Sequence, residues 1–204
     1  MPETLDANKV NTMAQGIDVL EDYLLTLDRE LLEILLCDRT TRRNILWATK
    51  DYEEYGADYA EFEEITPAAI TGAHSKPIQP RTAKAQNTQS GRTRSKAEVF
   101  TPSWMCNKQN NLVDEQWFGR AGVFNFEAEA SWVTNHETVN FTGAKGGWQK
   151  YIDAKRMEVS CGEAPYIVSR YDTVTGQRIP LSDRVGILDR KLRVVNENAE
   201  SDDD

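Results

Sequence analysis

The sequence predicts an α-rich α/β protein, and three observations predict it. An apolar stripe of helical period occupies residues 17–34, and a second amphipathic segment fills residues 103–118. A short apolar run then leads into the small-residue turn Ser160-Cys161-Gly162, reading as a strand followed by a helix. At 204 residues the chain has room for one substantial domain, or for a domain with a smaller appendage. Its 9% aromatic content, including five Trp, is enough to build a core.

In the first element, Ile17, Leu20, Leu24, Leu27, Leu31 and Ile34 recur at intervals of three and four. That spacing predicts one helix with a single apolar face, packed on the body of the domain or on a partner helix. NILWAT, residues 44–49, reads as a short strand or buried loop. Residues 66–94 carry Pro67, Pro77, Pro80 and many small polar residues without a period, so they read as a long loop.

The segment SWMCNKQNNLVDEQWF predicts a helix capped by Ser103, with Trp104, Leu112, Trp117 and Phe118 turned inward. Residues 120–148 have no regular pattern, and GAKGGW marks a turn. RMEVS is expected as a strand, and PYIVSRYD as a helix start with Pro165 in the first turn. A last helix is expected from Ser182. The resulting division is a helical region over 1–65, a linker over 66–96, a main domain over 97–198 and an acidic tail over 199–204.

Charge is unevenly spread behind a net value of −9. Residues 51–64 hold seven acids and no base, whereas residues 81–96 hold five bases and no acid. An acidic chain can still offer a basic strip to a phosphate backbone, which makes Arg92, Arg94 and Lys96 candidate DNA contacts. Three well-separated cysteines without a CxxC pair, and two distant histidines, argue against a disulfide framework and a metal site. The N-terminus lacks the features of a signal peptide, and no apolar run approaches the ~18 residues needed to span a bilayer. A cytoplasmic protein without a membrane segment is the expectation.

Two motifs carry the chemistry. In EVFTPSWM, Thr101-Pro102 fixes the backbone after an apolar run and precedes a helix. In RMEVSCGEAP, an acid stands before a turn whose Gly162 lets backbone approach a ligand closely. Alone, the first is an ordinary helix entry and the second an ordinary corner. Together, EVFTP and ExxCGEAPY resemble two motifs of amino-methylating DNA methyltransferases of restriction–modification systems. The similarity extends to DRTTRRNILWATKDY, KAEVFTPSWMCNKQNNLVDEQWFG, SCGEAPYIVSRYDTVTG and RVGILDRKLRVVNEN, covering residues 35–198 with a poorer stretch over 124–147. These look like the N-terminal part of proteins labelled restriction endonuclease subunit M.

The resemblance implies the first part of a Rossmann-like methyltransferase domain with an incomplete sheet, holding S-adenosylmethionine. Phe100, Thr101 and Pro102 would flank the methionine end of that cofactor, and Glu158 would meet its amino group. Cys161, Gly162 and Glu163 would form the turn around it, with Pro165 and Tyr166 starting the helix behind. Ala164 stands where the family often has a second glycine, and Val159 where it often has proline. If residue 164 takes a positive φ, its methyl group crowds the ligand.

The family's catalytic motif, Asn or Asp followed by Pro-Pro and an aromatic residue, is absent. The seven prolines stand at 2, 67, 77, 80, 102, 165 and 180, with no two adjacent. No catalytic residue is therefore assigned, and activity would need a catalytic or recognition subunit on another polypeptide, unless the chain is a truncated form. The competing expectation is a non-enzymatic interaction protein of a phage or mobile element that binds DNA or a restriction complex. The acid pairs Asp114-Glu115 and Asp51 to Glu54 read as exposed, and no nuclease pattern accompanies them.

Overall fold

The computed structural model describes residues 20–75, 77–83, 99–159 and 162–199, and the chain forms two units, 1–80 and 81–204. In the first unit the expected single helix is two, α1 (Glu21–Leu27) and α2 (Arg29–Leu36). Asp28 breaks them: its backbone is extended, and its carboxylate accepts the Glu30 N–H at 2.8 Å as the cap of α2. A short acidic side chain stabilises a helix start better than a helix interior. The break rotates the stripe, so Leu32 and Leu36 are buried while Leu27 and Ile34 are each 49% exposed. Ile17 lies outside the described residues.

NILWAT forms isolated bridges rather than a strand. Trp47 N–H donates to Glu63 O, and Ile65 N–H to Ile45 O, across a loop containing two turns of 3-10 helix. Trp47 and Tyr59 anchor this unit's core with Leu32, Leu36, Ile65 and Ile70. Both rings also satisfy their polar atoms, Trp47 Nε1 on Asp58 O (3.0 Å) and Tyr59 OH on Ala69 O (2.8 Å). A helical turn, α3 (Pro67–Ile70), starts at Thr66 with Pro67 in its first position, inside the stretch expected to be a loop.

The second unit is built on α4 (Ser103–Phe118), which spans the residues expected of it. Its buried face is different. Phe118 is buried, but Leu112 is 57% exposed, and the inward positions are Ser103, Cys106, Asn107, Asn110 and Asp114. The reason is Arg190 on the last helix, α6 (Ile187–Asn198), which is 1% exposed. Its guanidinium donates to Asp114 Oδ2 (2.5 Å), Asn107 Oδ1 (2.7 Å) and Asn111 Oδ1 (2.9 Å), and Nε donates to Val185 O (3.0 Å). A buried charge needs that many partners, so the helix turns its polar side inward. Asp114 is thus a structural acid, not an exposed one, and Tyr151 OH donates to its other oxygen at 2.9 Å.

The expected beginning of a Rossmann-like parallel sheet is not found. Among the described residues the strands are β1 (Asn125–Ala128) and β2 (Ser131–Thr134), an open antiparallel hairpin with Phe126 opposite Val133. The described part of RMEVS, residues 156–159, is not a strand, and Ser160 lies outside the described residues. It follows α5 (Trp148–Asp153), and residues 155–159 make no backbone–backbone hydrogen bond among the described residues. A strand exists only against a neighbour, and none among the described residues pairs with this run. PYIVSRYD forms a turn and then an isolated bridge, Tyr171 to Arg178, rather than a helix. The last helix begins at Ile187, five residues later than expected, after a 3-10 turn at Leu181–Asp183. An aromatic cluster of Phe118, Phe124, Phe141 and Tyr151 with Val139 and Val194 closes the core beside α5 and α6.

Candidate functional site

Two loops, one leading into α4 and one leaving α5, meet at one place in the second unit. The first arrives through Phe100-Thr101-Pro102 at the head of α4. Ser103 does not cap that helix. Pro102 occupies the cap position, and Asp172 Oδ2 accepts the Ser103 N–H at 2.7 Å from 69 residues downstream. Thr101 O accepts the Cys106 thiol (3.7 Å) and the Thr173 hydroxyl (3.1 Å), which fixes the Thr-Pro step against the 172–175 turn. Burial of the Asp172 carboxylate is outweighed by hydrogen bonds from Ser103 and Thr175, so its pKa falls below the ordinary value.

The second loop is anchored at both ends. Lys191 Nζ donates to Ile152 O (2.6 Å) and Ala154 O (2.7 Å), which fixes the exit of α5. On the far side, Tyr166 O accepts from Asn110 Nδ2 (2.9 Å) and from Ile187 N–H (2.9 Å). Gly186 permits this approach, because a Cβ there would stand 2.4 Å from Ile167 O.

Between these anchors the residues singled out by sequence come together. Gly162 has φ +50°, and a Cβ on it would stand 3.1 Å from the Phe100 ring. Tyr166 interacts with both Thr101 and Cys106, and Glu158 acts on both Cys106 and Tyr166. Glu163 faces aside, accepting from Tyr171 OH at 3.0 Å, and Pro165 is buried. Ala164 takes φ +51°, the left-handed conformation in which a methyl group is strained. Cys161, Arg92, Arg94 and Lys96 lie outside the described residues.

Glu158 is the chemically distinctive member. Its Oε2 is buried and has no hydrogen-bond partner among the described residues. Burial raises its pKa above the ordinary carboxylate value, opposed by the Ile167 and Tyr166 amides. It lines a cavity of about 360 Å³ shared with Asn110, Val113, Arg156, Tyr166 and Ile187, a size suited to a small-molecule moiety. A carboxylate so placed can accept from an ammonium or hydroxyl group. Cys106 offers no nucleophile: burial, reinforced by the charge of Glu158, pushes its thiol up to about 12. Tyr166 is likewise raised, by burial and then by Cys106, and stays a neutral phenol.

Cys106, Asp172 and Thr173 were not singled out by sequence. DTVTG does signal an Asx turn, since Asp172 Oδ1 accepts from Val174 and Thr175 N–H. Nothing local announces that the same side chain caps a helix 69 residues away. No group of three or more His, Cys, Asp or Glu suited to a metal occurs among the described residues, and none of their helices is long and apolar enough to cross a membrane. Comparison with family models, with curated proteins and with solved structures found no match.

Proposed function

We propose that this chain supplies the S-adenosylmethionine-binding side of a restriction–modification DNA adenine methyltransferase in the cytoplasm, with the catalytic element contributed from outside these residues. The observation that carries the reading is the Glu158 carboxylate, whose buried Oε2 has no hydrogen-bond partner among the described residues and which acts on Cys106 and Tyr166. The two motifs that resemble the family's cofactor motifs start 60 residues apart, at Glu98 and Glu158, and Phe100 of the first packs against Gly162 of the second. The reading draws on that adjacency and not on a parallel sheet, which is absent among the described residues.

In this reading Glu158 accepts from the ammonium group of the cofactor, and the Thr101-Pro102 step and the Gly162 turn hold its methionine end. When bound, the cofactor supplies an electrophilic methyl group on sulfur. The chain's part is positioning, which is the main source of rate for an in-line displacement. Nothing described acts on the acceptor amine, so the chain by itself transfers no methyl group. Equilibrium dialysis against labelled S-adenosylmethionine tests the reading. Retention by the wild type and its loss in Thr101→Ala and Glu158→Ala are expected, and an unloaded wild type would overturn it.

DNA is the proposed partner, and the basic run at 81–96 supports it. Charge reversal at Arg92 and Arg94 is expected to weaken retention in a gel-shift series and to flatten its salt dependence. An unchanged series would contradict this role.

A further inference from the structure

Another cavity of the second unit, about 630 Å³, opens between the turn at Leu181–Asp183, the end of β2 and one face of α6. Neither Glu158 nor Gly162 lines it. Its apolar wall runs from Phe124 and Val185, both buried, to Leu181 and Leu192, which are 78% and 54% exposed. Large apolar side chains left open to water beside a cavity are the surface that an apolar ligand covers.

The charges around the cavity are nearly all engaged. Arg190 is held by Asp114, Asn107 and Asn111, and Arg193 by Glu197 Oε1 and the carbonyls of Asn135 and Glu137. Glu197 Oε2 accepts the Val139 N–H, and Asp189 Oδ2 accepts from Ser169 and Gly186. Arg184 is the exception. It lines the cavity, and its Nε is buried without a hydrogen-bond partner among the described residues. A desolvated guanidinium N–H without an acceptor is costly, and the guanidinium fork matches a carboxylate.

The walls define the rest of the ligand. The Phe124 ring is already stacked on Tyr151 (6.0 Å) and lies under the Arg190 and Arg193 guanidiniums (5.2 and 5.9 Å), so a flat heterocycle gains little from it. Inorganic phosphate would set its charge against Val185, Leu181 and Leu192, which offer it no side-chain donor. An aliphatic chain is covered by the same residues. We propose that this cavity binds a carboxylate with an aliphatic body, of the medium-chain fatty acid class, with its head on Arg184 and its chain along Val185, Leu181 and Leu192.

This site shares no residue with the methyl-donor reading, so Glu158→Ala should bind the ligand as the wild type does. Its test is a calorimetric titration of the full chain with octanoate, with octan-1-ol as the uncharged counterpart and inorganic phosphate as an anion without a chain. The wild type is expected to bind octanoate about tenfold more tightly than octanol, through the charge-assisted bond. Arg184→Gln should abolish that preference and leave octanol affinity unchanged, and Arg184→Lys should restore part of it. Leu181→Ala, a change on the open rim, is expected to weaken both ligands about threefold with an unchanged thermal midpoint. The proposal is overturned by absence of saturable octanoate binding at about 1 mM, or by equal affinity for octanoate and octanol in the wild type. A joint loss of both ligands in Arg184→Gln, or displacement of octanoate by equimolar phosphate, would equally overturn it.

Discussion

Phe100 closes over Gly162 so tightly that a methyl group on the glycine would stand 3.1 Å from the ring edge. This contact joins the Thr-Pro loop to the acid-and-glycine turn. At φ +50° any side chain at 162 is also strained in the backbone. Gly162→Ala is expected to cost about 1–2 kcal/mol in urea unfolding and to lower cofactor affinity. A variant as stable as the wild type would show that Phe100 and the turn are not packed as described.

Ala164 gives the opposite expectation. It already holds φ +51°. Ala164→Gly should stabilise the chain by about 1 kcal/mol, because the left-handed strain disappears. It should also tighten S-adenosylmethionine binding, if the methyl group crowds the ligand as its conformation indicates. Urea midpoints and dialysis on the same two proteins check both outcomes.

Glu158 should be a stability liability as well as a ligand group. Burial raises its folded pKa above the unfolded value, so its stabilising contribution is complete below the unfolded pKa and is lost as pH rises through the folded one. Glu158→Gln should therefore be more stable than the wild type at neutral pH. The difference should shrink on acidification toward the ordinary carboxylate range. A variant that loses stability at neutral pH would mean the carboxylate is structurally paired.

The Arg190–Asp114 pair should behave in the reverse way. Both side chains are buried, and Asp114 also takes a bond from Tyr151. Asp114→Ala leaves a buried guanidinium with its asparagine and carbonyl partners only. It is expected to cost about 3–5 kcal/mol in chemical denaturation. A loss no larger than that of an exposed ion pair would show that water reaches the network.

Helix α4 was legible in sequence to its ends, because Pro102 and Gly119 punctuate a long run of helix formers. Its orientation was not, since only a distant arginine makes Asn107, Asn110 and Asp114 the inward face. The N-terminal stripe was legible as helix, but Asp28 caps a second helix in mid-stripe, which turns Leu32 and Leu36 inward and leaves Ile34 exposed. RMEVS has the composition of a strand, yet a strand is a property of two segments. The hairpin was missed for the converse reason: Glu129-Ala130 carries no turn signal, and Ala130 enters the left-handed region at φ +48°. At the candidate site, both motifs were visible locally. Their meeting depends on Asn110, Asp172 and Lys191, long-range anchors that no local pattern announces.

The most direct test of the donor-site account is a calorimetric titration of the full chain with S-adenosylmethionine, in parallel with Glu158→Gln, across a pH series. The account predicts saturable binding by the wild type that weakens as acid protonates Glu158, and weak, pH-insensitive binding by the variant. Equal affinity in the two proteins, or no heat from the wild type at about 1 mM cofactor, would contradict it.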